Sequence, residues 1–145
     1  MHTLQQVLQK RVLVTAGPHE STLDAVRRMT DQRVGAIVIL DHEQLVGIFS
    51  ERDLMTRIVV AGRDAATTPV GDVMTREVVT ARLSDRTGEC EEKMRRAGCR
   101  HLPITLDGRV VAMLSMRDLL RDEIEEQVAE NRELRAYIQQ VPLEH

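Results

Sequence analysis

Apolar and polar residues follow two rhythms along this chain. Runs of four to six mostly apolar residues at 12–15, 36–40, 45–49, 78–81, 101–105 and 109–114 are too short for helices and predict strands. Between the first two runs, Leu23, Val26 and Met29 recur at helical spacing behind Ser21 and Thr22, either of which can cap the helix start. A matching helix later in the chain is followed by Gly98, a residue suited to the left-handed turn that closes helices. The last two strands of each set flank Asp41-His42-Glu43-Gln44 in one case and the hairpin signal Asp107-Gly108 in the other. A second helix begins at Ser50 and again at Ser115. The strands carry few polar residues, so both faces of each sheet should be covered. The order β-α-β-β-α thus occurs twice, which is an α+β arrangement.

The duplication is visible residue by residue. Laying 13–55 over 78–120 at a constant offset of 65 gives an ungapped match with eleven of 43 positions identical, where unrelated segments would share roughly two or three. Val14-Thr15-Ala16 returns as Val79-Thr80-Ala81, Thr22 as Thr87, Met29 as Met94, Ile39 as Ile104 and Val46 as Val111. Two copies of this length mark a duplicated domain and not a solenoid. A unit of this size buries little surface alone, so the two copies are expected to pack face to face.

Composition then narrows the class. Hydrophobic residues make up 42% of the 145, enough for a real interior, and Phe49 and Tyr137 are the only aromatics, so that interior is aliphatic. Proteins that grip single-stranded nucleic acid stack bases on aromatic rings. The net charge of −3 gives no global basic field, and the pairs Arg27/Arg28 and Arg95/Arg96 fall on the outer faces of predicted helices. Nucleic acid is therefore not an expected partner. No apolar run approaches the ~20 residues of a membrane span, and the first six residues lack the order of a signal peptide. A cytoplasmic protein with no membrane partner is expected. Cys90 and Cys99 lie too far apart for a CxxC site and are read as buried thiols. No histidine pair has metal-ligand spacing, so no metal site is expected; His19 and His42 fall in turns and should be solvent-exposed.

The sharpest repeated element is Gly47-Ile48-Phe49-Ser50-Glu51-Arg52-Asp53, matched by Ala112-Met113-Leu114-Ser115-Met116-Arg117-Asp118. Ser at the N-cap with Asp three residues on is a helix-starting pair, and capping alone accounts for both. The same junction of strand and helix presents free N–H groups that attract phosphate, while a carboxylate accepts hydrogen bonds from a ribose diol. Capping leaves the arginine of both copies unexplained; pairing with surface acids is the other account of it. No GxGxxG or GxSxG pattern or phosphate-binding GK motif is present, so no catalytic residues are assigned and a non-catalytic protein is expected.

This Ser-x-x-Asp motif, repeated after two strands, with Asp72-Val73-Met74-Thr75 opening the second half and Arg100-His101-Leu102-Pro103-Ile104 on its core strand, resembles the tandem CBS-domain proteins, or Bateman modules. The resemblance covers the chain from about residue 4 to residue 120. It implies two β-α-β-β-α CBS repeats packed about a pseudo-twofold axis, with two clefts between them that bind AMP, ADP, ATP, S-adenosylmethionine or NAD(H). It also implies a homodimer that signals to a regulated partner protein through conformational or oligomeric change. No cofactor is required. Carried over by position, it implies that Ser50 and Asp53 serve one site, and Ser115 and Asp118 the other, at phosphate and ribose. Arg52 and Arg117 would lie near phosphates, Thr15 and Thr80 would line the clefts, and Ala36-Ile37 and His101-Leu102-Pro103 would hold the base. His101 is read either as a pH- or phosphate-sensing residue of the cleft or as a strand histidine satisfied by a neighbour. Two departures predict unequal sites: Ala112 where copy one has glycine, narrowing the approach of backbone to ligand, and Gly17-Pro18-His19 at one rim.

Nothing breaks a helix from Ser115 to Gln140, and Pro142 follows. Leu120, Ile124, Gln127, Asn131, Leu134, Ile138 and Val141 fall at alternating four- and three-residue steps, a coiled-coil spacing weakened by its two amides. Such a helix either packs back on its own module or forms a dimer contact, and the dimer is preferred. The alternative function is a ligand-free dimerisation scaffold using this helix. The expected organisation is repeat one at 1–62, a linker at 63–71, repeat two at 72–122 and a helical extension at 123–142. Residues 143–145, Leu-Glu-His, resemble the start of a vector-encoded histidine tag.

Overall fold

The computed structural model describes residues 3–8 and 12–140, with the backbone alone at Gln140; the expectations for Val141, Pro142 and 143–145 lie outside the described residues. A one-turn helix α1 (Leu4–Val7) opens the chain, held by a reciprocal cap between Thr3 and Gln6. Then follow β1 (Thr15–Ala16), α2 (Thr22–Gln32), β2 (Ala36–Asp41), β3 (Gln44–Ser50) and α3 (Glu51–Asp53), which widens into a π-helical segment over Leu54–Val59. A 3-10 turn at Val70–Asp72 leads to β4 (Ala81–Arg82), α4 (Thr87–Ala97), β5 (His101–Leu106), β6 (Arg109–Ser115) and the long α5 (Met116–Gln140). The offset of 65 holds to the residue at both ends of α2 and α4, of β2 and β5 and of β3 and β6, and at the first residue of α3 and α5, whereas β1 and β4 are offset by 66.

Each half is a three-stranded sheet, ordered β1-β2-β3 and β4-β5-β6. The central strand runs parallel to the first and antiparallel to the third. Even the irregularity is copied: the register shifts between Ile39 and Leu40, and again between Ile104 and Thr105. The leading strands are shorter than the runs at 12–15 and 78–81 predict. Pairing is confined to Thr15–Ala16 and Ala81–Arg82, because the chain turns away one or two residues later and Val12 stands 74% exposed.

Two aliphatic cores result, and each draws on the segment that leads into the other repeat. Ala25, Met29, Ile37, Ile39 and Phe49 pack with Val70, Val73 and Met74. Cys90, Met94, Leu102, Ile104 and Leu114 pack with Leu4 and Leu8. Leu8 and Val73 are related by the same offset of 65, so each repeat sends the segment before its first strand into its neighbour's core. The stretch 65–71 is fastened down: Thr22 N donates to Thr68 O at 2.8 Å, Leu23 N to Ala65 O at 3.0 Å and Val70 N to Glu20 O at 2.8 Å. Gly71 belongs to this fastening, since a Cβ there would stand 2.8 Å from Pro18 O.

Candidate ligand site at the seam of the two repeats

The ends of the two hairpins bring the repeated motifs to one seam. Register pairs Ala36 with Ser50 and His101 with Ser115, and β3 touches β6 across the halves. The His101 ring lies 3.3 Å from the point where a Cβ on Gly35 would stand, and Glu51 Oε1 approaches that point equally closely. His101 is half-buried. Burial holds its imidazole pKa below the usual 6.5, against the opposing pull of Glu51 and Asp118, with Arg100 adding to the depression.

Capping is realised at both junctions. Asp53 Oδ2 accepts from Ser50 N at 3.0 Å and Ser50 Oγ at 3.1 Å, and Ser50 Oγ accepts from Asp53 N at 3.4 Å. Ser115 N donates to Asp118 Oδ2 at 3.0 Å, and Asp118 N to Ser115 Oγ at 3.1 Å. Both aspartates are only 6% exposed. Asp53 has a further role that repetition does not disclose: its Oδ1 accepts from Thr75 Oγ1 at 3.0 Å and lies 3.6 Å from Arg57 Nε. Arg57 Nη1 also donates to Met74 O at 2.6 Å, and Thr75 pairs with Ile48 through two backbone bonds. Asp53 thus joins the first motif to the entry of the second repeat. In the second half Asp122 occupies the position of Arg57, so the two junctions differ in charge as well as in shape.

Gly47 is explained by packing. A Cβ there would collide with Met74 Sδ and stand 3.0 Å from Thr75 O, so the space expected for an approaching ligand is filled by Met74. This corrects the sequence-based reason for the glycine, although the Gly47/Ala112 asymmetry remains.

Thr15 and Thr80 are half-buried, and each is held by a device that identity matching misses. Arg28 Nη1 donates to Thr15 O at 3.0 Å and pairs with Glu20, whose Oε2 accepts from Gly17 N at 2.6 Å. At the equivalent positions Lys93 Nζ donates to Thr80 O at 3.0 Å and pairs with Asp85, whose Oδ2 accepts from Arg82 N at 3.0 Å. Arg28 with the Gly17 amide holds the Glu20 carboxyl below its ordinary range, and the Arg82 amide with Lys93 does the same for Asp85. A comparison by charge class would have found both pairs.

Of the other expected residues, Ile37 and Leu102 are fully buried in the two cores, Ala36 and Pro103 are buried, and Arg52 and Arg117 are exposed. An open recess of about 290 Å³ lies over residues 12–15, Arg28, Asp31 and Gln32, and touches Thr15 alone among the expected site residues. His19 and His42 are exposed, as their turns predict. Cys90 is buried and its thiol is pushed up to about 11, chiefly by desolvation, whereas Cys99 is only half-buried.

The arrangement has relatives. The model of the CBS domain matches residues 6–60 and 70–125. The chain belongs to the CBS-domain family. The CBS domain-containing protein CBSX3, mitochondrial, of Arabidopsis thaliana is 34% identical over 125 residues, covering 83% of this chain; the chain spans 61% of that relative's length. Among solved structures, the CBS domain NE2398 superposes with a TM-score of 0.79 at 32% identity, covering 85% of this chain and 98% of its own. The CBS domain protein PAE2072 from Pyrobaculum aerophilum, solved in complex with AMP, gives a TM-score of 0.72 at 27% identity, covering 81% and 89%. The fold is thus a pair of CBS repeats, mixed α+β, followed by a C-terminal helix. CBS pairs of this kind are regulatory modules.

Proposed function

We propose that this CBS pair is a non-catalytic regulatory module that binds an adenine nucleotide, AMP, ADP, ATP or NAD(H), between its repeats. The observation that carries the reading is the Ser-Arg-Asp junction occurring in both halves at one seam, with Ser50/Asp53 and Ser115/Asp118 each at a strand-to-helix turn. The AMP complex of PAE2072, a protein of the same fold, supports adenine as the ligand class. Arg52 and Arg117 are exposed and able to meet phosphate, and Asp53 and Asp118 are the acceptors for ribose hydroxyls. Because Asp53 also holds Thr75, a ligand engaging it acts on the connection between the repeats, which transmits occupancy to the whole module as a shift in conformation or assembly.

Thermal unfolding with each nucleotide, and with S-adenosylmethionine, tests this directly. A ligand present at 100 times its Kd should stabilise the native state by about 2.7 kcal/mol. Asp53→Ala and Asp118→Ala should each remove part of that shift. Absence of any stabilisation at millimolar ligand sinks the reading.

A second reading, a ligand-free dimerisation scaffold, is favoured by one observation. The apolar row of α5 does not fold back on the module: Leu120 is 50%, Ile124 59%, Leu134 57% and Ile138 63% exposed. The two readings share a homodimer and part over nucleotide.

A further inference from the structure

α5 has two faces with different destinations. Leu119 and Met116 pack into the second core, and Asp122 and Glu126 are half-buried against the module. From Gln127 to Gln139 every residue is exposed, so the helix leaves the module and runs on for about 20 Å. A projecting helix of this length is marginal in water by itself.

We propose that this helix pairs with α5 of a second copy as a parallel, in-register, two-stranded coiled coil; the inference deepens the homodimer part of the reading above. The side chains decide both number and direction. The alternating steps place Leu120, Gln127 and Leu134 at d and Ile124, Asn131 and Ile138 at a. β-Branched residues at a with leucine at d select two strands, and one asparagine at a fixes the register. Position g is then Glu130 and the following e is Arg135, the pair that meets across a parallel dimer. Among the described residues neither makes an ion pair within its own chain. An antiparallel pairing that kept the same apolar layers, Leu120 on the partner's Ile138 and Ile124 on the partner's Leu134, would set Glu130 against the partner's Glu130 and Arg121 against the partner's Arg135. Like charges at every charged contact exclude that arrangement. Charge complementarity therefore selects a parallel second copy.

The test uses the full chain carrying Leu134→Cys under mild oxidation. Parallel pairing brings the two new thiols face to face, and in a Cys99→Ser background, which removes the half-buried native thiol, a disulfide-linked dimer is expected on a non-reducing gel and is absent without Leu134→Cys, because Cys90 is buried. Antiparallel pairing would separate them by about 15 Å and give no link. Independently, Glu130→Arg should weaken dimerisation by about three- to tenfold, and adding Arg135→Glu should restore it. A dimeric mass with no Leu134→Cys link, or with no response to Glu130→Arg, overturns the inference and leaves the homodimer standing. A monomeric mass throughout a dilution series overturns both, while nucleotide binding is decided separately by the thermal shift.

Discussion

At the scale of single residues, His101 is the group whose ionisation the fold resists. It sits where copy one has Ala36, pressed against Gly35, and burial keeps it neutral more effectively than Glu51 and Asp118 favour its charge. The unfolded chain therefore takes up a proton near pH 6.5 that the native state takes up only at lower pH. Between those two values the unfolded state binds more protons, so stability rises with pH and falls on acidification. Melting temperature should drop as pH is lowered from 7.5 through the range below 6.5, and His101→Gln should flatten that slope; a variant with an unchanged slope would show that other groups carry it. How far the site was legible follows from the same residues. Ser50, Asp53, Ser115 and Asp118 declared themselves because they are repeated by identity. Glu20/Arg28 and Asp85/Lys93 are repeated only in charge and escaped notice. Thr75 was visible in the Asp72-Val73-Met74-Thr75 stretch, but its bond to Asp53 from 22 residues away was not, and Arg57 escaped because copy two has Asp122 at its position.

At the scale of elements, the two copies have kept complementary helix ends. α2 starts well, with Ser21 Oγ accepting from Asp24 N at 3.1 Å, but closes on Arg33 in the left-handed region at φ 56. α4 closes on Gly98 at φ 65, where no Cβ is strained, but starts at Arg86, which makes no side-chain cap. Each defect is repaired by the residue type its sister uses. Arg33→Gly should stabilise by roughly 0.5–1 kcal/mol and Arg86→Ser by about 1 kcal/mol. Together they should raise the melting temperature by about 3–8 °C, read by calorimetry. A neutral pair would mean that the helix ends are compensated elsewhere. The hairpins follow the same pattern. Asp107-Gly108 announces its turn, whereas His42 and Glu43 adopt the same left-handed pair at φ 48 and 66 without a glycine to signal it. Strand and helix order was legible because apolar spacing changes from one element to the next. The π-helical turn at Leu54–Val59 was not, since six residues are too few to separate its period from that of an α-helix.

At the scale of the whole molecule, duplication was legible but the exchange of segments between the halves was not. Leu4 and Leu8 precede the first repeated strand, and spacing gives no sign that they cross to the far core. The exchange makes the two cores interdependent. The second lacks part of its apolar wall without residues 4–8, and the first lacks Val70, Val73 and Met74 if the chain is cut before residue 70. Leu4 is fully buried although it lies on a one-turn helix four residues from the start of the chain. Leu4→Ala should therefore behave as a core truncation and not as a change at a frayed terminus. A loss of about 2–5 kcal/mol is expected, which lowers the melting temperature by roughly 5–15 °C. Because Val73, Met74 and Thr75 tie the first core and Asp53 to the entry of the second repeat, the loss should appear as one transition moved down. Two resolved transitions in the variant, with the second repeat melting first, would show instead that each half holds itself together. A single displaced transition is what a signalling module needs. A ligand that binds at the seam can redirect the whole assembly only if neither half is able to relax without the other.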